Sequence, residues 1–194
     1  QIEPEQILQE ISSLFAGAAK NKGLQIDVQW HSTPAQTYQA DGHRLRQMLS
    51  NLVGNAIKFT PGGQILIEGA EIGRDETSAM LEFAVTDSGI GISADKQAAL
   101  FEAFSQVDSS TTREFGGSGL GLAIVRQMAH LLGGEVGVHS EPGSGSRLWF
   151  RIRANLINTH DAEQAAWPEA LSASDMAAQP QLSGRVLVAE DNQI

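Results

Sequence analysis

The chain has 194 residues, of which 41% are hydrophobic and 19% are charged, and this composition excludes a collagen-like, coiled-coil or fully disordered protein. Its 13 Lys and Arg residues stand against 23 Asp and Glu residues, so a formal net charge of -10 disfavours nucleic acid as a partner. Any phosphate that the chain binds must therefore be held by local groups. The chain has no cysteine, which excludes disulfides, thiolate metal sites and cysteine nucleophiles.

Membrane and export signals are not expected in this stretch of sequence. No apolar run approaches the roughly 20 residues of a membrane-spanning helix. The first residues also lack the basic and apolar segments of an export signal. We expect a cytoplasmic domain, and an anchor of the parent protein in the inner membrane is left open.

The first part of the chain predicts a helix, a strand and a second helix. Apolar residues, Leu14 and Ala18 among them, recur at helical spacing over residues 4–21, and alternation over residues 24–30 predicts a half-buried strand. A polar loop follows. Asp41 is placed to cap a helix that runs to about residue 59, where Pro61 and two glycines end it.

The middle of the chain predicts two hairpins with helices between them. Strands over residues 64–72 and 80–86 are separated by a polar turn, and strands over 136–139 and 147–152 are joined by a Gly- and Pro-containing turn. Short helical patterns lie at 96–101 and 120–132. Residues 105–115 between them are polar and without period. The whole predicts one α+β domain over residues 1–154.

The composition changes after the last predicted strand. Residues 155–182 are rich in Ala, Ser, Gln and Pro and contain no Lys or Arg, as linkers do. Residues 183–194 contain a short apolar run that ends in two acids, Glu190 and Asp191, like the first strand of another domain. We therefore predict a linker followed by the start of a second domain.

The helix after Asp41 carries a polar stripe. At 100° per residue, Asn51, Asn55 and Lys58 fall within an arc of roughly 60°, opposite the leucines of the same helix. Asparagine is a poor helix former, so two of them at this spacing need an explanation. Their amide oxygens are suitable ligands for Mg²⁺ and the lysine for a phosphate, although a solvated helix face would show the same pattern.

Two glycine-containing segments could approach a ligand closely. Asp87 ends a predicted strand and is followed by alternating glycines, so its carboxylate could accept a hydrogen bond from an exocyclic amine such as that of adenine. Residues 116–122 (GGSGLGL) open a helix, where free N–H groups favour a phosphate. This segment matches neither a P-loop nor the dinucleotide fingerprint. Taken singly, the Asp87 segment fits an ordinary turn after a strand better than a ligand site, and the glycine-rich segment is structural as often as functional.

Together and in this order, these segments resemble the sensor histidine kinases of the gyrase, chaperone, histidine kinase and mismatch-repair ATPase superfamily. Residues 44–60 (RLRQMLSNLVGNAIKFT) resemble the asparagine box of that family, and 87–92 (DSGIGI) its first glycine box. Residues 100–104 (LFEAF) resemble the phenylalanine box and 116–124 (GGSGLGLAI) the second glycine box. The resemblance covers about residues 2–153. It implies the Bergerat fold, an α/β sandwich of a mixed sheet covered by a layer of helices.

The resemblance also implies an Mg-ATP site. Asn55 would be the principal Mg²⁺ ligand with Asn51 assisting, Lys58 and Arg113 would contact phosphates, and Asp87 would accept from the adenine amine. Residues 105–115 would form a lid, expected to be mobile without nucleotide, with Phe101 and Phe104 packing its base. The other implied nucleotide contacts are Phe59, Gly89, Gly91, Ile92, Gly117, Ser118, Gly119, Leu120, Gly121 and Leu122.

The implied reaction is transfer of the γ-phosphoryl of ATP to a histidine on a separate dimerisation domain. None of the five histidines of this chain lies in a motif like His-Glu-x-x-Thr-Pro, so the chain would carry the phosphodonor half alone. An ATPase of the same superfamily would have a Glu where Asn51 stands, and an amide cannot serve as a general base. The alternative is a degenerate nucleotide-binding module that regulates another kinase by heterodimerisation.

The last eleven residues, 184–194 (GRVLVAEDNQI), resemble the first strand of a receiver domain. Glu190 and Asp191 match the acids that help such domains bind Mg²⁺. The resemblance implies a hybrid kinase whose receiver is cut short here. The expected partners are the dimerisation and receiver domains of the parent, which would be a homodimer, whereas this fragment would be a monomer.

Overall fold

The computed structural model describes residues 1–102 and 120–157. The described elements comprise four helices and six strands. In chain order they are α1 (Pro4–Asn21), β1 (Leu24–Trp30), β2 (Tyr38–Gln39), α2 (Gly42–Phe59), β3 (Gly63–Arg74), β4 (Ser78–Asp87), α3 (Ala94–Gln97), α4 (Gly121–Leu131), β5 (Val136–Glu141) and β6 (Gly145–Leu156).

The strands form one mixed sheet in the order β1-β3-β4-β6-β2, with β5 also paired to β6. β1 and β3 are parallel, whereas the β3–β4, β4–β6, β5–β6 and β2–β6 pairs are antiparallel. Both predicted hairpins are therefore present, and α1, α2 and α4 pack against the sheet through a single apolar core. The predicted α+β fold with a mixed sheet and a helical layer is confirmed.

The core lies between α2 and the central strands. On α2 the predicted apolar face is buried, with Leu45 and Leu49 at 0% exposure. On β4 and β6, Phe83 and Phe150 stack with ring centroids 5.4 Å apart. On the other face of the sheet, Glu82 lies between Arg147 and Arg151 and forms an ion pair with each. This alternation gives the central strands one apolar face and one charged face.

Two local predictions from the sequence were wrong, and the apolar pattern of α1 is only partly buried. The short helix spans Ala94–Gln97 and not 96–101, because it starts directly after Ser93 and the chain then continues in turns that bury Leu100 and Phe101. β2 lies in the segment predicted as a loop, and it was missed because a strand of two residues shows no alternating pattern. Leu14 is 70% exposed and Ala18 is exposed too, because Phe15 makes the contact with α2 at that level.

The edge of the sheet that carries the end of β4 also carries the start of β6, since Asp87 pairs with Ser146. At its other end β6 continues through Asn155 and Leu156, two residues that the sequence analysis gives to the linker. The compact unit ends at Ile157. The rest of the predicted linker and the predicted receiver strand lie outside the described residues. No helix in the described ranges is long and apolar enough to cross a membrane.

Candidate functional site

Helix α2 positions the polar stripe. Its start is fixed by Asp41, whose carboxylate accepts hydrogen bonds from the amides of His43 and Arg44 at 3.1 and 3.0 Å. Seven buried side chains hold the other face of the helix against the core. Asn51, Asn55 and Lys58 remain half-buried on the face away from the sheet. The stripe predicted from the sequence is therefore present, and packing fixes its direction.

The end of β4 places a carboxylate in an apolar wall. Asp87 is 8% exposed, and one of its oxygens accepts a hydrogen bond from the Gly89 amide at 2.8 Å. Burial raises the pKa of this carboxyl above its ordinary value, although the amide hydrogen bonds act in the opposite direction. A buried carboxylate with acceptor capacity left over is suited to a ligand that donates hydrogen bonds.

A cavity joins these two elements. It lies between the end of α2, the loop after β4, the start of α4 and the start of β6, and it is largely apolar with a few polar groups. Asn55, Phe59 and Asp87 line it together with Ile92 and Leu122. Flat apolar walls with one buried acceptor match a purine ring. With Gly91, the structure thus brings together six of the residues that the sequence analysis selects.

Thr60 is a site residue that the sequence analysis missed. It follows α2 directly and is 0% exposed, and its hydroxyl makes no hydrogen bond of good geometry among the described residues, although its closeness to Asp87 lowers the pKa of that carboxyl. The hydroxyl lies beside Asp87, since both would be within 3.0 Å of a Cβ placed on Gly89. Buried hydroxyls are rarely left unpaired, so this one is available to a ligand or to a water bound with it. Its position at the end of the asparagine-containing motif was the available signal.

The last turn of α2 is stabilised by hydrogen bonds from a lysine outside the helix. Lys22, which follows α1, donates hydrogen bonds to the carbonyl oxygens of Ile57 and Lys58 at 2.7 and 3.2 Å. An ammonium at this position satisfies carbonyls that the helix leaves unpaired and complements its dipole. The Lys58 ammonium lies 4.7 Å from the centroid of the Phe59 ring. The Lys58 ammonium therefore lies at the rim of the cavity that Phe59 lines.

The glycines differ in what surrounds them. At Gly91, which has a φ of 69°, an added Cβ would collide with the backbone of Glu141 in the β5–β6 hairpin, so its small size is needed for packing. At Gly121 an added Cβ would lie 3.1 Å from the amide oxygen of Asn51. The start of α4 therefore adjoins the polar stripe of α2. Leu120, at the N-cap position, has no side-chain acceptor for the first amides of α4.

The donor set fits a magnesium nucleotide better than a metal held by protein alone. In the described ranges no group of three or more His, Cys, Asp or Glu residues could hold a metal ion. The amide oxygens of Asn51 and Asn55 are hard ligands, and Mg²⁺ usually completes its shell with water and phosphate oxygens. These two side chains therefore suit an ion that arrives with a phosphate.

Several predicted site residues lie outside the described ranges. They are Phe104, the proposed lid at 105–115 with Arg113, and the glycine-rich residues Gly117, Ser118 and Gly119.

The sequence also matches a known family model. Residues 40–156 match the histidine kinase-, DNA gyrase B- and HSP90-like ATPases. The chain belongs to this ATPase family. It is 39% identical over 189 residues to the sensor histidine kinase GacS of Pseudomonas protegens, and 40% identical over 149 residues to the signal transduction histidine-protein kinase BarA of Escherichia coli K12. These alignments cover 97% and 77% of this chain but 19% and 16% of the relatives, so the chain spans a fifth or less of their length.

Solved structures of the family share the fold. Full-length ShkA in complex with AMPPNP has a TM-score of 0.69 and 37% sequence identity over 81% of this chain and 31% of that one. The catalytic domain of the histidine kinase ThkA has a TM-score of 0.62 at 24% identity, over 78% of this chain and 94% of that one. The second likeness shows the fold alone. The ATPase family and the histidine kinase relatives confirm the family that the sequence analysis identified.

Proposed function

We propose that this chain binds Mg-ATP in the cavity and donates the γ-phosphoryl to a histidine on a separate dimerisation domain of a two-component sensor kinase. The observation that carries the proposal is the cavity itself, which Asp87 and Asn55 line together with apolar side chains, while the Thr60 hydroxyl lies beside Asp87. The 37% identity to ShkA, a protein crystallised with the ATP analogue AMPPNP, supports a nucleotide as the ligand.

The adenine end of the site would be formed by the buried acceptor and its apolar neighbours. Asp87 accepts from the exocyclic amine of adenine, and Thr60 lies beside it to complete the hydrogen bonding of the base. Ile92 and Leu122 cover the ring faces, and Phe59 lies near the base. GTP offers a carbonyl where ATP offers the amine, so a buried acceptor discriminates between them strongly.

The phosphate end would be formed by α2 and the start of α4. Lys58 supplies positive charge in a chain whose formal net charge is -10, which is why the cation must lie close to the phosphates. The side chain of the N-cap residue Leu120 does not cap the first amides of α4, and these amides and the helix dipole favour an anion there. Asn55 with Asn51 would hold Mg²⁺, which neutralises phosphate charge when it is bound.

The chemistry follows from what the residues can and cannot do. Catalysis of phosphoryl transfer rests on positioning and on charge neutralisation, and both need only the groups named above. Asn51 has an amide in place of a carboxylate, so it cannot remove a proton from water. We therefore expect transfer to an imidazole and not hydrolysis. The further domains of the parent protein, including a receiver that begins at residue 183, are part of the same proposal.

Isothermal titration of the chain with ATP tests the proposal, with and without Mg²⁺ and with GTP as the comparison nucleotide. We expect saturable binding of Mg-ATP with one nucleotide per chain and at least a hundredfold weaker binding of GTP. Binding of neither nucleotide would contradict the proposed function. Equal binding of both would move base recognition away from Asp87.

A further inference from the structure

A glutamine next to the cavity holds two segments of the cavity wall together by hydrogen bonds. Gln97 ends α3 and is half-buried, and both contacts of its side-chain amide are made to backbone carbonyls. Its nitrogen donates to the carbonyl oxygen of Ile92 at 2.7 Å and to that of Ser140 at 2.8 Å. Ile92 lies in the loop after β4, whereas Ser140 lies on β5. A single side chain therefore ties the loop to the hairpin.

Ser140 fastens the same loop from the other side. Its hydroxyl accepts a hydrogen bond from the Ile92 amide at 2.7 Å. The hydroxyl lies 2.8 Å from the carbonyl oxygen of Gly145, to which it donates, and 2.9 Å from the hydroxyl of Ser146. Both backbone groups of Ile92 are thus held by side chains, in a segment that belongs to no helix or strand.

The network ends at the buried carboxylate. Ser146 lines the cavity, pairs with Asp87 in the β4–β6 register, and its backbone is a hydrogen-bond partner of the Asp87 carboxylate. Ile92 lines the cavity as well. A shift of either residue would change the width of the cavity and the direction of its acceptor. A displacement of about 1 Å is enough to weaken a site that depends on precise orientation of its groups.

We propose that Gln97 and Ser140 are positioning residues of the nucleotide site, which hold Ile92 and Ser146 so that the Asp87 carboxylate meets the adenine. The proposal rests on the proposed nucleotide-binding function. Neither residue touches the base; each acts through the backbone of the cavity wall. Loss of either side chain leaves the loop free to move while the core between α2 and the sheet is unchanged.

Gln97→Met tests the proposal, because methionine keeps the length of the side chain and removes the donor without adding charge. We expect ATP affinity to fall about tenfold, which corresponds to about 1.4 kcal/mol. In the nucleotide-free protein, hydrogen exchange at the Ile92 amide should become at least about tenfold faster. Gln36→Met is the matched control: Gln36 donates to the Thr37 carbonyl at the opposite end of β6 and should leave both readouts unchanged.

Gln97→Lys provides the rescue, since an ammonium can again donate to two carbonyls. We expect its ATP affinity to return to within about threefold of the wild type, after correction for charge with Ala98→Lys at the exposed neighbouring position. Ser140→Ala should weaken ATP binding as Gln97→Met does, and the double variant should lose less than the sum because both act through Ile92. Melting temperatures identify any variant that is merely unfolded.

Two results would overturn the proposal. One is Gln97→Met with wild-type ATP affinity, and the other is a folded Gln97→Lys variant that binds ATP no better than Gln97→Met. Failure of the wild-type chain to bind ATP would be a different result. It would contradict the proposed function itself, and this proposal with it.

Discussion

Gly89→Ala should lower the stability of the fold and displace the groups around the Asp87 carboxylate. An added Cβ would lie 2.5 Å from the carbonyl oxygen of Phe59, 2.8 Å from a carboxylate oxygen of Asp87 and 3.0 Å from the hydroxyl of Thr60. Such contacts are too short for carbon and oxygen, so these groups must move. Because the site is buried, overpacking of this kind costs about 1–3 kcal/mol of unfolding free energy. For a domain of this size, each kcal/mol lowers the melting temperature by about 2–4 °C.

The same displacement should weaken ATP binding. A hydrogen bond to a charged acceptor is worth about 1.5–3 kcal/mol, so moving Asp87 out of line should lower the affinity at least about tenfold. Thermal unfolding and calorimetric titration measure the two effects. Gly62→Ala is the control, because a Cβ there meets nothing within 4 Å. If Gly89→Ala has the stability and ATP affinity of this control, the predicted collision of the added Cβ is refuted. If it loses stability but keeps full ATP affinity, Asp87 does not contact the base.

Three further changes test other parts of the site. Asn55→Ala should weaken Mg-ATP binding about tenfold and metal-free ATP binding much less, whereas Gln47→Ala on the exposed side of α2 should change neither; equal losses in both titrations would remove Asn55 from the metal. Asp87→Asn should lower the preference for ATP over GTP. Burial raises the pKa of Asp87 in the fold, so the folded wild type holds the carboxyl proton more tightly than the unfolded chain does. The wild type should therefore lose unfolding free energy relative to Asp87→Asn as the pH rises from about 4 through the raised pKa. Urea unfolding in which the difference between the two proteins does not change with pH would contradict this. Lys22→Met should lower the unfolding free energy by about 0.5–1 kcal/mol through the last turn of α2, and Lys20→Met, also exposed at the end of α1, should lower it less.

Sequence periodicity was enough to predict the first long elements of the chain, including α2, which carries the polar stripe of the site. The bounds of α1, β1 and α2 agree with the prediction, because each has an unbroken pattern and a clear start or stop signal, such as Asp41 and Pro61. The position of Asp87 at the end of a strand followed from alternation in β4. These elements depend mainly on local sequence, which is why a single sequence specifies them.

The remaining features depend on contacts between distant residues. The parallel pairing of β1 with β3 joins segments with α2 between them, and no local pattern encodes it. Thr60 joins the candidate site only because Asp87, at the end of β4, lies beside it. Gln97 and Ser140 look like ordinary surface residues in the sequence, yet Ser140 meets Gln97 and Ile92 across 43 and 48 residues of chain. Polar side chains that act on backbone groups carry no period, so sequence reasoning overlooked them.

The central claim is that this chain supplies a phosphoryl group and that the acceptor histidine belongs to another domain. The most direct test incubates the chain with Mg²⁺ and γ-labelled ATP, alone and together with the dimerisation domain of its parent protein. We predict no label on the chain alone and label on the added domain, stable to base and labile to acid as phosphohistidine is. The added domain should be labelled slowly, because separating the two domains removes the high effective concentration of a tether. Acid-labile, base-stable label on the chain alone would contradict the account.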